Sequence, residues 1–305
     1  MKGEKIDAEN KSIDSMWKQL PHTAGEERAQ LLLELAQDAV ERNSGDEALA
    51  LAEEARGIYR SLGASVPNVE VAKSIFGIGS ALKQLHREKE AAELLNEAIA
   101  LQRESGFPYL PDTYRIQGQY FLDAKDYESA VKSYLEAAQV DEVDGDDEFL
   151  AVDFFNVGRS YFHWEKYEEA IGYFKKTRGI LKKRRDLYGI SWSDHFIAES
   201  YLKLGSPEAA LASATSAYAI GELRKHNEML CKGAFTKAKA HMMLGDFDQV
   251  SKDLGEADYL ASASCDWDLM VEIQEEYRKL HVNLNQFEDA AKVEARIKTI
   301  REILE

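Results

Sequence analysis

Residues 154–177 read FFNVGRSYFHWEKYEEAIGYFKKT, and the spacing of their small and large residues decides the fold. Gly158 is followed three residues on by Tyr161, twelve on by Ala170, sixteen on by Phe174 and nineteen on by Thr177. The same order lies 40 residues upstream as Gly118, Phe121, Ala130, Tyr134 and Ala137, and 40 downstream as Ala198, Tyr201, Ala210, Ala214 and Ala217. It continues as Ala238, His241, Val250, Leu254 and Ala257. Earlier copies are Gly79, Leu82, Ala91, Leu95, Ala98 and, more faintly, Ala36, Ala39, Ala48, Ala52, Ala55. A degraded last copy reads Arg278, His281, Ala290, Glu294, Ile297. A fixed period of this size predicts stacked units, none able to bury its apolar face alone. Such a stack offers an extended binding surface and points away from a catalytic pocket.

Each unit reads as helix, tight turn, helix. In LGSPEAA, Leu204 ends one helix, Gly205 supplies a left-handed stop, Ser206 caps the next and Pro207 takes its first turn. Gly245 with Asp246, and Gly45 with Asp46, repeat that grammar, and Thr23 with Glu26 has capping-box spacing. Seven hairpins follow, with first helices near 26–42, 68–85, 111–124, 148–164, 190–204, 227–244 and 267–284. Their partners fall near 46–62, 88–104, 126–141, 167–185, 207–223, 247–262 and 286–304. No strand periodicity interrupts them. The fold class is therefore all-α: an α-solenoid of about seven helix-turn-helix units, one domain over 26–305. Residues 1–25 form a polar segment, with Met16 and Trp17 as its hydrophobic pair and room for a short helix. Gly118, Gly158 and Ala198 should let the two helices of a hairpin approach, and the residue sixteen later should fill the gap toward the next hairpin. Arg278 and Glu294 replace core residues where a terminal hairpin has no further neighbour, as a cap requires.

This spacing resembles the tetratricopeptide repeat, most closely at Phe154, Val157, Gly158, Tyr161, Ala170 and Phe174, and again at Tyr114, Gly118, Phe121, Ala130, Tyr134 and Ala137. The resemblance spans roughly 26–304 and implies a right-handed superhelix with a peptide- or protein-binding concave groove. The usual family period is 34, with a proline closing the second helix. Here Arg60, Arg103, Glu142, Lys182, Glu222 and Ser262 stand at that offset, so the second helix is free to run on and lengthen the repeat.

Composition narrows the function. A net charge of -17 disfavours non-specific binding to nucleic-acid phosphates, which takes clustered Lys and Arg. No apolar run approaches the length of a membrane span, and MKGEKIDAENKSID lacks the apolar core of a secretory signal. Cys231 and Cys265 form no motif, which suits a reducing cytoplasm without disulfides. Gly77 and Gly79 lack the strand and third glycine of a phosphate loop. The acidic stretch DEVDGDDE at 141–148 misses calcium-loop register and reads as a solvated connection. His195 and Glu199 lie one turn apart, but two ligands and a distant His163 make no closed metal site. No nucleophile motif appears. Neither enzyme, cofactor nor metal is expected.

The resemblance places the groove on the first helix of each hairpin. Counting from the small residue, the lining positions are six and three before it and one and four after it, one helical stripe. Hairpins two to six then contribute Lys73, Phe76, Ser80, Lys83; Asp112, Arg115, Gln119, Leu122; Val152, Phe155, Arg159, Phe162; Trp192, His195, Glu199, Leu202; and Lys232, Phe235, Lys239, Met242. Six of these twenty are Lys or Arg and two are Asp or Glu, against 38 and 55 in the whole chain. Rings beside cations suit a peptide-binding wall. The candidate contacts are Lys73, Phe76, Lys83, Arg115, Gln119, Phe155, Asn156, Arg159, Phe162, Trp192, His195, Glu199, Phe235 and Lys239. The family's carboxylate clamp is matched in kind by Arg115 and Asn156, while Trp192 and Phe196 stand where its later cations belong. A basic run on the second helix, Lys175, Lys176, Arg178, Lys182, Lys183, Arg184 and Arg185, reads as a solvated outer face or a patch for an acidic partner. The expected function is a non-catalytic scaffold or adaptor that holds an acidic or amphipathic segment. The alternative is a regulatory receptor whose superhelix changes pitch when a short peptide or small ligand binds.

Overall fold

The computed structural model describes residues 13–105, 110–264 and 266–304. Among them the regular structure is helical throughout, and fourteen long helices pair in sequence as seven hairpins. The chain divides into two compact units between Gly145 and Asp146. The first holds three hairpins: α1 (Gly25–Glu41) with α2 (Gly45–Leu62), α3 (Asn68–Gln84) with α4 (Glu88–Ser105), and α5 (Leu110–Asp123) with α6 (Tyr127–Asp144). The second holds four: α7 (Asp147–His163) with α8 (Tyr167–Arg184), α9 (Leu187–Lys203) with α10 (Pro207–Arg224), α11 (Asn227–Leu244) with α12 (Phe247–Ser264), and α13 (Trp267–Asn283) with α14 (Phe287–Leu304). A helical stretch at 13–19 and a 3-10 turn at Leu20–His22 precede α1, with Trp17 exposed and Leu20 buried. Residues 1–12 and Cys265 lie outside the described residues.

The long period has a direct cause. Each described second helix is 18 residues long, about 27 Å by helical rise. Arg60, Arg103, Glu142, Lys182, Glu222 and Ser262 all lie inside these helices, so nothing stops them where the family's proline would. The hairpin turns are equally regular. Asn43, His86, Lys125, Glu165, Gly205, Gly245 and Asn285 all have left-handed φ, each seven residues after its repeat's small position. The next residue donates its N–H back across the turn, as from Lys166 to the Tyr161 carbonyl at 2.9 Å and from Ser206 to Tyr201 at 2.9 Å. These bonds satisfy carbonyls left over at the end of the first helix.

Two expected caps are different. Asn43, and not Gly45, takes the left-handed position in the first hairpin. Gly45 instead starts α2 against Leu85, where an added Cβ would lie 3.0 Å from that side chain. Thr23 donates its hydroxyl to the Leu20 carbonyl at 3.1 Å, and Ala24 precedes α1, so no capping box forms.

The small residues do bring helices together, with one change of partner. A Cβ on Gly118 would sit 3.0 Å from Tyr134 and one on Gly158 2.8 Å from Phe174, so the residue sixteen later packs inside its own hairpin. Phe174 also stacks on Phe196 of the next hairpin, with ring centres 5.1 Å apart, and so does both jobs. Gly79 faces Tyr120 of the following hairpin at 3.3 Å. Ala130, Ala170 and Ala210 are fully buried. In the last hairpin the same offset holds an exposed Arg278–Glu294 ion pair at 3.2 Å. Cys231 is a buried free thiol that donates to the Ala257 carbonyl, as the Ser191 hydroxyl does to Ala217 one repeat earlier.

Candidate functional site

In the unit from Asp146 onward, α7 and α9 meet through Phe155, Phe162 and Phe196 but stay apart toward their N-terminal ends. Between them lies a cleft of about 730 Å3 whose floor is Thr177 and Leu181 of α8. Val152, Phe155 and Arg159 line one wall, and Tyr188, Trp192 and Phe196 line the other. Gly189 allows α9 to begin close to that floor, since a Cβ there would lie 2.5 Å from Leu181. Glu148 and Arg184, paired with each other, stand at the N-terminal end of the cleft. The rings hold one another in place. Phe155 meets Phe174 and Phe196 edge-on at 5.4 and 5.5 Å, and Phe162 meets Phe196 edge-on at 5.6 Å. Trp192 lies edge-on to Tyr188 at 6.3 Å and carries the Lys232 ammonium 4.4 Å from its ring centre. Such a cleft has the size and the apolar lining of a small binding pocket.

The next gap, between α9 and α11, is filled by polar side chains. Glu199 accepts from Lys239 at 2.6 Å and from the Thr236 hydroxyl at 2.9 Å, and His195 Nδ1 lies 3.4 Å from that hydroxyl. Burial pushes His195 down to about 4, more than the Glu199 charge can offset, and the Lys239 and Lys232 charges push the same way. Burial alone would raise Glu199, but the Lys239 charge above all, with the hydrogen bonds from Lys239 and Thr236, outweighs it, and the carboxyl stays below its ordinary value. A neutral imidazole beside an ionised, lysine-bound carboxylate is a structural tie between repeats. Phe235 is only 5% exposed and belongs to the core of the last two hairpins, a correction to its place on the expected wall.

In the first unit the expected groove cations are already engaged. Lys73 pairs with Glu70 at 2.7 Å and Lys83 with Asp123 at 2.9 Å. Arg115 binds Asp112 at 2.7 Å and also Asp141, the first residue of the acidic stretch. Gln119 donates to Asp123 at 2.6 Å and accepts from the Tyr134 hydroxyl at 3.3 Å. Phe76 lines a smaller cleft of about 300 Å3 with Leu33 and Val40. The inverted charge ratio of the stripe is thus cancelled locally. Of the five Lys and Arg candidates, Arg159 alone has no carboxylate partner among the described residues, and its side chain makes one long bond, 3.4 Å to Asn156 Oδ1. On the outer face, Lys175 donates to the Tyr201 hydroxyl, Lys176 covers the Tyr173 ring and Arg178 pairs with Asp194. Lys182, Lys183 and Arg185 are exposed.

Solved structures with the same arrangement carry repeats of one kind. A Signal Transduction ATPase with Numerous Domains from Pyrococcus horikoshii, which has a tetratricopeptide repeat sensor, matches 93% of this chain and 46% of its own at 16% identity and TM-score 0.64. A protein from Podosopora anserina with nearly identical TPR-like repeats matches 67% of this chain and 100% of its own, at 18% identity and TM-score 0.57. The chain folds as a tetratricopeptide-type repeat protein. Another TPR-like neighbour is a Rap protein complexed with Competence and Sporulation Factor, at 16% identity and TM-score 0.59, with 90% of this chain and 77% of that one covered. No family model and no curated protein matches the sequence. At these identities the likeness establishes the fold, and the site must be argued from its own residues.

Tyr188 and Gly189 were not singled out by the sequence. Tyr188 lies one turn before Trp192 on the same stripe, so extending the lining pattern toward the helix start would have found it. Gly189 carried no such signal. Among the described residues, no helix is long and apolar enough to cross a membrane.

Proposed function

We propose that this protein is a non-catalytic scaffold that holds a segment of a partner protein on the first-helix face of its second unit, anchored in the α7–α9 cleft. The observation that carries this reading is the contrast between two neighbouring gaps: α9–α11 is tied by Lys239, Glu199 and Thr236, whereas α7–α9, bridged only by Phe155, Phe162 and Phe196, keeps an open cleft lined with rings. An open aromatic cleft costs apolar exposure, which binding would recover. The partner segment is amphipathic, with more apolar than acidic character, because the other four candidate cations spend their charge inside the protein. Phe155, Arg159 and Trp192 are the contacts retained from the sequence, joined by Tyr188 and Phe196. The neighbour solved with Competence and Sporulation Factor supports such use of the fold. A reducing compartment such as the cytoplasm suits the buried free thiol of Cys231.

Selection of displayed random peptides on the full chain tests the reading. Enriched peptides should bind the parent protein and lose affinity for a Phe155→Ala, Trp192→Ala double variant of unchanged helicity. Absence of any enrichment, or equal binding to both proteins, would contradict it.

A further inference from the structure

The chemistry of the cleft is specific enough to define what enters it. We infer that it takes one large ring from the partner segment and that Arg159 takes a carboxylate one or two residues away from that ring. The inference rests on the scaffold reading and narrows it. The walls supply Phe155, Tyr188, Trp192 and Phe196, while Ala151 and Gly189 contribute almost no bulk, so the space between the walls is largely apolar and faced by rings. Aromatic rings meet such walls edge-on or offset-stacked, and the protein's own rings already present edges at 5.4 to 5.5 Å around Phe155. Arg159 follows Phe155 by one helical turn, so its side chain leaves the helix about 6 Å further along the axis. Adjacent residues of an extended segment are about 3.8 Å apart, so an acidic residue next to the ring, or one removed, spans that offset.

The charge argument is local. Arg159 is partly buried, lines the cleft and lacks a carboxylate partner among the described residues. A guanidinium beside apolar rings gains more from a carboxylate than one in open water does, because screening is weaker there. His163, one turn further on, adds little positive charge beside it: burial holds its pKa below the ordinary histidine value, and the Arg159 charge adds to that depression. At the other end of the cleft, Glu148 and Arg184 neutralise each other, and the Asp186 carboxylate, which caps α9 by accepting the Gly189 N–H, leaves that end acidic. The Arg159 end is the one that favours an anion, which gives the bound segment a direction.

The test uses the full chain and a capped hexapeptide, acetyl-Gly-Ser-Glu-Phe-Ser-Gly-amide, titrated to millimolar concentration by NMR. Its Glu→Gln and Phe→Ala forms should each bind about tenfold more weakly or worse. Arg159→Gln should abolish the preference for Glu over Gln while leaving the preference for Phe. Val152→Trp, at a cleft-lining residue that is 43% exposed and so able to enlarge without displacing core, should block all three peptides. Retained helicity in both variants separates lost binding from lost folding. Equal affinity for the Glu and Gln forms, or undiminished binding to Val152→Trp, would overturn the inference. Failure of the hexapeptide to bind would also overturn it, and if displayed peptides still required Phe155 and Trp192, the scaffold reading would survive.

Discussion

Gly158 faces the ring of Phe174 so closely that a single added methyl would lie 2.8 Å from it. Contact at that distance forces the ring or a helix to shift, and Phe174 is pinned on its other side by Phe196. Gly158→Ala should therefore cost about 1–3 kcal/mol in urea unfolding. Gly172, on the exposed face of α8 with nothing within 4 Å of an added Cβ, is the control. Gly172→Ala should stabilise by about 0.5–1 kcal/mol through helix propensity. Equal effects at the two sites would contradict the repeat register.

In the last hairpin the Gly158–Phe174 relationship has become Arg278 and Glu294, a 3.2 Å pair with both side chains substantially exposed. Exposed pairs contribute little, so Arg278→Ala should change stability by no more than about 1 kcal/mol. A loss comparable to that of Gly158→Ala would mean that this pair is part of the packed core.

Lys239 and Arg159 occupy the same place in their repeats but do different work. Removing the Lys239 charge strands Glu199 in a partly buried site, so Lys239→Met should destabilise the fold by about 1–3 kcal/mol. Arg159→Met leaves no carboxylate unpaired and should stay within about 0.5 kcal/mol of the parent in thermal or urea melts. The reverse order would show that Arg159 is the structural cation.

Acid should weaken the α9–α11 tie in two stages. His195 has a folded pKa of about 4 against an ordinary 6.5, so on acidification the unfolded chain takes its proton first. Its contribution is intact above about pH 6.5 and is lost progressively down to about pH 4. Glu199, held below its ordinary 4.5, adds a further loss only below that value. Urea melts between these limits should show a shallower pH dependence for His195→Gln than for the parent. Identical slopes would mean that His195 titrates normally in the folded protein.

The helices were legible because small and large residues recur at fixed offsets, and the expected ends agree with the observed ones to within about three residues. The turn geometry was only half legible. Gly205 and Gly245 announce a left-handed residue, whereas His86, Lys125 and Glu165 adopt it because the hairpin closure imposes it. The site was harder still. Counting cations along the stripe suggested a basic groove, but charge balance depends on partners elsewhere in the chain. Lys83 meets Asp123 and Lys239 meets Glu199, each 40 residues away. One whole repeat separates such partners, so aligning repeats side by side exposes them where reading along one helix does not.

Photo-crosslinking tests the central claim most directly. A display-selected peptide carrying a benzophenone at its aromatic position would be irradiated on the intact protein and the adducts mapped by mass spectrometry. Adducts are predicted on Val152, Phe155, Tyr188 and Trp192, with loss of labelling in the Phe155→Ala, Trp192→Ala variant. Adducts concentrated on Lys175, Lys176, Lys182 and Lys183 would contradict the account and assign binding to the outer face of α8.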